Sequence, residues 1–198
     1  NYGRAVEQLN LALEIRKAVF GDKHPDTAAA YNNLGLVSKS IGMHKKAFQF
    51  YQRALEIQTT LYQKKHPEVA TSLNNLGSLY QELGNLEEAK AHFQSALEIY
   101  LEIYGDKRRE TAVAYNNIAI LCEKSQDFEG AEINYKKALE IKRSIHGENH
   151  IDTALAYNNM ATLYQMTGEP EEAKNMVKKA LKIRLALLKN DHPDVALS

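Results

Sequence analysis

The sequence predicts an all-α protein, a right-handed solenoid built from antiparallel helix hairpins. Three observations lead to this prediction: a regular internal repeat, helical spacing of apolar residues within each repeat, and turn-forming residues at fixed places between the helices. No segment carries the alternating pattern that is typical of a β-strand.

The repeat is defined most clearly by a pair of neighbouring asparagines. The second asparagine of the pair stands at positions 33, 75, 117 and 159, so each step is 42 residues. Such self-similarity is the signature of stacked structural units. It predicts one array over 1–198, with full repeats at 24–65, 66–107, 108–149 and 150–191. Segment 1–23 is then the second helix of a partial repeat and 192–198 begins another, so we expect the chain to be a fragment of a longer protein.

Each repeat is predicted to contain two helices. In the repeat 66–107, apolar residues from Val69 to Leu83 follow helical spacing, and a second such set runs from Leu86 to Leu101. A helix hairpin can bury these two apolar faces against each other and against the neighbouring repeats.

Glycine and proline mark the ends of these helices. Gly42, Gly84 and Gly168 stand where a first helix must stop, a position that favours a left-handed backbone. The third repeat has Gln126 and Asp127 at this place, where we expect a less regular turn. Prolines that suit the first turn of a helix, where no amide hydrogen bond is lost, are Pro25, Pro67, Pro170 and Pro193.

Composition excludes several classes of function. Lys+Arg and Asp+Glu each number 25, so the formal net charge is zero. Nucleic-acid binding needs a clear excess of Lys and Arg to meet the phosphates, so no nucleic-acid partner is expected. No apolar run approaches the ~18 residues of a membrane span, so no membrane insertion is expected. The single cysteine, Cys122, fits a reducing compartment, and we predict a cytoplasmic location.

No motif for catalysis, cofactor binding or metal binding stands out. The sequence has neither a Gly-rich phosphate loop nor a nucleophile elbow, so we predict that the protein is not an enzyme and takes no cofactor. Helices of neighbouring repeats pack roughly 10 Å apart, whereas zinc needs its ligands about 2 Å from one point. We therefore interpret the recurring histidines as turn residues beside helix starts, and predict no metal site from them: His24, His66, His150 and His192.

The repeat resembles the tetratricopeptide pattern of small and aromatic residues at fixed offsets. In 66–107 the residues that carry this resemblance are Leu76, Gly77, Tyr80, Ala89, Phe93 and Ala96. The usual unit has about 34 residues, whereas a longer unit with paired asparagines and a His-Pro opening is similar to the repeats of kinesin light chains. The resemblance implies that the first helices line a concave groove and the second helices form its outer wall.

The resemblance also implies a peptide-binding site in that groove. An asparagine amide offers donors and an acceptor, so a ladder of asparagines can pair with the backbone of an extended peptide. The other interpretation is that the first asparagine of each pair only fixes the stacking of helices, and both stay open. The predicted groove residues are Asn32, Asn33, Asn74, Asn75, Asn116, Asn117, Asn158, Asn159, Lys39, Ser78, Gln81, Lys124 and Gln165.

The functional hypothesis is a scaffold that binds other proteins through linear peptide segments. The resemblance implies, more narrowly, a cargo adaptor of the kinesin light chain type. Two alternatives remain open at this point. The ends of the array could pair end to end and give self-association, because a repeat array without polar caps exposes apolar faces. The array could also be a regulatory arm of a larger signalling protein.

Overall fold

The computed structural model describes residues 2–63 and 65–187. Over this part the chain has nine α-helices, one short 3₁₀ helix and no β-strand, which confirms the all-α prediction. None of the helices in these ranges is long and apolar enough to cross a membrane. The predicted repeat start at 192–198, with His192 and Pro193, lies outside the described residues.

The chain divides into two compact units, with the division between Ile103 and Tyr104. Unit 1 contains α1 (Tyr2–Phe20), α2 (Pro25–Ser40), α3 (His44–Tyr62), α4 (Pro67–Glu82) and α5 (Leu86–Tyr104), of which α5 ends one residue past the division. Unit 2 contains the 3₁₀ helix (Gly105–Lys107), α6 (Arg109–Lys124), α7 (Phe128–His146), α8 (Ile151–Met166) and α9 (Pro170–Leu187). We call α2, α4, α6 and α8 the first helices, and α3, α5, α7 and α9 the second helices.

The turns after the first helices use a left-handed residue, as predicted. Gly42, Gly84 and Gly168 have φ of 74°, 82° and 79°. In the third repeat Gln126 takes the same left-handed conformation, with φ of 60°, which is an uncommon one for a residue with a side chain. The Asp127 side chain then caps α7 by accepting a hydrogen bond from the Gly130 amide at 2.9 Å. The turn is therefore retained, at a cost in local strain.

The first helices begin on histidines that act as N-caps. The Nδ1 atoms of His24, His66 and His150 accept hydrogen bonds at 3.2, 3.2 and 3.1 Å from the backbone amides two residues later. An N-cap acceptor satisfies an amide that has no partner within the helix. The remaining first helix, α6, has Arg108 as its N-cap residue, and the Arg108 side chain makes no capping hydrogen bond. The recurrent histidines thus have a specific structural role that the sequence interpretation did not identify.

A flat side chain from the preceding second helix covers each capping position. The rings of Phe20 and His24 stack with centroids 4.5 Å apart, those of Tyr62 and His66 at 3.8 Å, and those of His146 and His150 at 4.2 Å. At the remaining junction the Arg108 guanidinium lies 5.3 Å from the centre of the Tyr104 ring. Each hairpin junction is therefore a stack between residues four apart in sequence.

Each hairpin of unit 1 is closed by a glycine that faces an aromatic ring. A Cβ atom on Gly35 would lie 2.5 Å from the Tyr51 ring, and one on Gly77 would lie 2.7 Å from the Phe93 ring. Both rings are fully buried. Unit 2 has alanines at these repeat positions, Ala119 and Ala161, and both are buried. The small residue sets how closely the two helices of a hairpin approach each other.

Candidate peptide-binding face

Every first helix has one side that is not buried and that carries the second asparagine of its pair. Positions spaced by four, three and four residues share this side of a helix. We call these residues the asparagine face, and all of them are exposed or half-buried. In unit 1 they are Ala29, Asn33, Leu36 and Ser40 on α2, and Thr71, Asn75, Ser78 and Glu82 on α4. In unit 2 they are Val113, Asn117, Ile120 and Lys124 on α6, and Leu155, Asn159, Thr162 and Met166 on α8.

In unit 1 the first asparagine is the centre of a buried polar network. Asn32 is 8% exposed, and its Nδ2 donates to the Ser72 hydroxyl at 2.7 Å. The Ser72 hydroxyl in turn lies 2.5 Å from Gln58 Oε1, to which it donates. Asn75 Nδ2 donates to Asn32 Oδ1 at 3.5 Å. The Asn32 amide thus links α2 to α4, and through Ser72 to α3, and its polar atoms are used within the protein.

In unit 2 the equivalent contact is a simple amide pair. Asn159 Nδ2 donates to Asn116 Oδ1 at 2.7 Å. The repeat position of Ser72 is occupied here by Ala156, which has no hydroxyl to extend the contact. In both units the first asparagine of one repeat therefore accepts from the second asparagine of the next. Among the described residues, Asn75 and Asn159 make no further side-chain hydrogen bond.

Of the other predicted groove residues, Lys39 and Ser78 are hydrogen-bonded to each other. Lys39 Nζ donates to the Ser78 hydroxyl at 2.7 Å, which joins α2 to α4 near their C-terminal ends. Asn33, Lys124 and Gln165 are exposed to solvent, whereas Asn74, Gln81, Asn117 and Asn158 are half-buried. Within the two units, the described contacts join Asn32 with Asn75, Asn116 with Asn159, and Lys39 with Ser78.

The asparagine face differs in polarity between the units. In unit 2 three apolar side chains are open to solvent, with Val113 37%, Leu155 45% and Met166 53% exposed. In unit 1 only Leu36 among the large apolar residues of this face is comparably exposed, at 52%. The resemblance to tetratricopeptide repeats also places these three positions in the groove, but they were not among the residues predicted to bind the peptide. Their sequence signal was a larger apolar residue than unit 1 has at the same repeat positions, which are Ala29 and Thr71 for Val113 and Leu155, and Ser40 and Glu82 for Met166.

Two tyrosines of the hairpins are buried, and one carboxylate, that of Glu123 on α6, is half-buried. The Tyr135 hydroxyl donates to Glu123 Oε2 at 2.9 Å. Burial raises the pKa of Glu123, and the Tyr135 hydrogen bond only partly opposes this. Burial, together with the Glu82 charge, raises the pKa of Tyr51 to about 12. Burial and the Glu123 charge also raise the pKa of Tyr135. Both tyrosines therefore stay neutral at physiological pH and pack in the interior, where the Tyr135 hydroxyl also donates a hydrogen bond.

Comparison with known proteins identifies the repeat. A family model described as tetratricopeptide repeat matches residues 1–60, 68–144 and 110–186. No curated protein matches the sequence. The match supports a role in protein interaction or as a scaffold.

Solved structures with similar folds cover nearly the whole chain. BtubC (BKLC) from P. vanneervenii is 25% identical over 97% of this chain and 84% of its own, with a TM-score of 0.77. A kinesin light chain-like protein from Podosopora anserina, with nearly identical TPR-like repeats, is 18% identical over 94% of this chain and 88% of its own, with a TM-score of 0.77. MamA is 19% identical over 94% of this chain and 90% of its own, with a TM-score of 0.62. These neighbours confirm the predicted solenoid fold class and the resemblance to kinesin light chain repeats.

Proposed function

The chain belongs to the tetratricopeptide repeat family, and from that membership we propose that it binds an extended peptide segment of a partner protein on the asparagine face. The observation that carries the proposal is the exposure of Val113, Leu155 and Met166 on the same side of α6 and α8 as Asn117 and Asn159. A ligand that covers exposed apolar side chains stabilises the complex by about 25 cal/mol for each Å² of apolar surface removed from water.

A peptide on this face is recognised in two ways. The Asn159 amide, held by Asn116, keeps an acceptor for a peptide backbone amide, and this contact does not depend on the peptide's sequence. Leu155 and Met166 then select apolar side chains at spaced positions of the peptide. Charge adds little, since Lys124 is the single charged residue of the asparagine face in unit 2. We therefore propose that the partner segment is apolar and near neutral in charge.

The kinesin light chain-like neighbours extend the proposal to a cargo-adaptor role. In that role the array is a rigid, non-catalytic connector in the cytoplasm, and the bound peptide belongs to the transported partner. This narrower proposal rests on the repeat type alone, and the identity of the selected peptides tests it.

The proposal is tested by selecting peptides from a random display library and measuring their affinity by fluorescence anisotropy. We expect the selected peptides to be rich in apolar residues. Leu155→Glu and Met166→Glu each weaken binding by roughly tenfold or more, because a charge replaces an apolar contact at the centre of the site.

A matched control comes from the outer wall of the same unit. Ile133 on α7 is 49% exposed, so Ile133→Glu makes the same chemical change on a second helix. Its affinity for the selected peptides should equal that of the wild type. If Leu155→Glu and Ile133→Glu bind equally well, the peptides do not occupy the asparagine face and the proposal is wrong.

A second candidate function, self-association, is favoured by an apolar strip on α1. Leu11, Ile15 and Val19 lie four residues apart and are 63%, 55% and 66% exposed. The isoleucines at the repeat position of Ile15 in the four later second helices are only 2–8% exposed: Ile57, Ile99, Ile141 and Ile183. α1 is the second helix of the partial repeat 1–23, and no first helix of that repeat lies beside it among the described residues. We propose that a helix from another copy of the chain takes this place and covers the strip.

Sedimentation equilibrium over a wide concentration range tests this candidate. We expect the wild type to associate and Ile15→Glu to sediment as a monomer. Leu61→Glu on α3, where the leucine is 40% exposed, is the control and should associate like the wild type. A wild type that is monomeric at every concentration would show that self-association does not occur, and it would leave the peptide-binding proposal unaffected.

A further inference from the structure

One hairpin junction of unit 2 departs from the others in its chemistry. The position that stacks on the capping residue is Phe20, Tyr62 or Tyr104 elsewhere, and is His146 at the last junction. Stacking requires only a flat ring, which phenylalanine and tyrosine supply at the other junctions. A histidine at this position adds a metal-ligating nitrogen beside a second histidine, His150.

His146 and His150 meet a carboxylate at this junction. His146 Nε2 lies 3.6 Å from Asp152 Oδ2, and His150 Nδ1 lies 4.0 Å from the same oxygen. All three ligand atoms lie within 4.8 Å of one another, and all three residues are half-buried. Four ligands placed tetrahedrally at about 2.0–2.1 Å from a zinc ion are roughly 3.3 Å apart, so small side-chain movements bring the three together.

A second observation concerns the partners of these atoms. The His146 Nε2 atom is shielded from solvent and has no hydrogen-bond partner among the described residues. A buried polar nitrogen without a partner costs free energy, which a bound ligand recovers. This nitrogen faces Asp152 at a distance that is too long for a hydrogen bond and suitable for a shared metal ion.

We propose that His146, His150 and Asp152 form a binding site for a divalent transition-metal ion, with Zn²⁺ as the best match. Two imidazoles and one carboxylate form a donor set that suits Zn²⁺ and disfavours Mg²⁺ or Ca²⁺, which need oxygen ligands. The open fourth position is available to water or to a side chain of a partner. Among the described residues, the recurring histidines His24, His66 and His150 do not form a ligand group with one another. The site arises from His146, which is not one of the recurring histidines.

Binding of the metal competes with existing contacts of the same residues. The Arg109 Nε atom lies 3.6 Å from Asp152 Oδ2, and Lys142 on α7 also faces this carboxylate. The His150 Nδ1 atom accepts the capping hydrogen bond from the Asp152 amide, which the metal replaces. The positive charge of Arg109 repels a metal ion at this site. Removing that charge should therefore tighten metal binding, whereas removing a ligand should weaken it.

The test is isothermal titration of the whole chain with Zn²⁺ after removal of bound metals, with Co²⁺ absorption as a spectroscopic probe of the ligands. We expect one ion per chain at this site. His146→Tyr is the matched variant, because Tyr62 and Tyr104 occupy the same repeat position and the stack is retained. It should weaken binding by roughly a hundredfold or more, since loss of even an outer-shell partner costs about 10–100-fold. Arg109→Gln should strengthen binding.

Helicity and melting temperature of both variants are measured first, so that loss of the fold is not mistaken for loss of the site. Lost Zn²⁺ binding in a folded His146→Tyr protein, with stronger binding in Arg109→Gln, supports the proposal. A wild type that takes up no Zn²⁺, or a His146→Tyr variant that binds it equally well, overturns it.

Discussion

Asn32 and Asn116 occupy the same repeat position in the two units, but their surroundings use them differently. Asn32 is buried in a network with Ser72, through which it reaches Gln58, and also accepts from Asn75. Asn116 is half-buried and accepts from Asn159. The cause lies one repeat away, where unit 1 has a serine and unit 2 has Ala156. The same asparagine is therefore fully used in contacts within the protein where the next repeat has Ser72, and makes fewer such contacts where the next repeat has Ala156.

The same contrast extends to the asparagine face. Unit 1 joins its first helices through polar contacts, including Lys39 to Ser78, and exposes Leu36 as its one large apolar residue there. Unit 2 joins them by the amide pair and leaves Val113, Leu155 and Met166 exposed. Unit 1 thus uses more polar contacts to hold its own repeats together, and unit 2 presents the more apolar asparagine face, to which we assign the peptide in our proposal.

The largest expected effect comes from breaking the unit 1 network. Asn32→Ala leaves the Ser72 and Gln58 groups buried with fewer partners, so we expect a loss of about 2–3 kcal/mol in the free energy of unfolding. Asn116→Ala is the matched change in unit 2 and should cost only about 1 kcal/mol, because one half-buried partner is affected. Urea denaturation of both variants measures the difference. Equal losses would show that the two asparagines are equivalent and would remove the contrast.

The second prediction concerns the closure of the hairpins. Gly77→Ala places a methyl group 2.7 Å from the Phe93 ring, and we expect a net loss of about 1–2 kcal/mol after the better helix propensity of alanine is included. Unit 2 carries the compatible pair Ala161 and Val177 at these positions. In a double-mutant cycle, Phe93→Val should therefore reduce the cost of Gly77→Ala. If that cost is the same with and without Phe93→Val, the ring does not set the helix distance.

The third prediction sharpens the comparison at the helix starts. His66→Ala removes the N-cap acceptor of α4 and should cost about 1 kcal/mol in the free energy of unfolding. His66→Asn keeps an acceptor and serves as the control, with a smaller loss. In unit 2, Arg108 has no capping hydrogen bond, so Arg108→Asn should stabilise the protein by about 0.5 kcal/mol or more. Thermal melts of the three variants decide whether the cap matters, and equal melts for His66→Ala and His66→Asn would show that it does not.

The smallest effect is expected for the half-buried carboxylate of Glu123 on α6. Burial raises the pKa of Glu123, so the folded chain binds this proton more tightly than the unfolded chain. Stability therefore falls as pH rises through the range between the unfolded and folded pKa. Glu123→Gln, which reproduces Gln81 and Gln165 at the same repeat position, should stabilise by on the order of 0.5 kcal/mol at neutral pH.

Melting curves at several pH values check this sign. The advantage of Glu123→Gln should disappear at acid pH, where the wild-type carboxyl is protonated in both states. An advantage that persists unchanged at acid pH would indicate a packing effect rather than a charge effect.

The elements of the fold were predictable because their signals are local. Gly42, Gly84 and Gly168 adopt the left-handed turns that their places suggested, and Pro25 and Pro67 begin helices. Gln126 shows the limit of such reasoning, since the turn is made without glycine. Gln126 is exposed, and the turn is held by backbone hydrogen bonds from Gln126 N to Glu123 O and from Asp127 N to Cys122 O, in a conformation that the side chain alone does not favour.

The roles of individual side chains were less predictable, because they depend on contacts between repeats. Nothing in the Tyr-Asn-Asn motif distinguishes Asn32 from Asn116; the difference lies in Ser72 and Ala156 on another helix. The capping role of the histidines also depends on the backbone geometry at the start of each helix. His146 was overlooked because it stands outside the repeat positions of the other histidines, four residues before His150.

The stack at each hairpin junction has a consequence for how such a chain can change length during evolution. The stacking ring belongs to one repeat and the capped helix start to the next, as for Tyr62 and His66. Duplication or deletion of a whole repeat therefore recreates the junction, because any flat side chain from the upstream copy can cover the downstream cap. Phe20, Tyr62 and His146 already serve this purpose interchangeably. Recombination in register thus lengthens or shortens the array without requiring compensating substitutions at the joint.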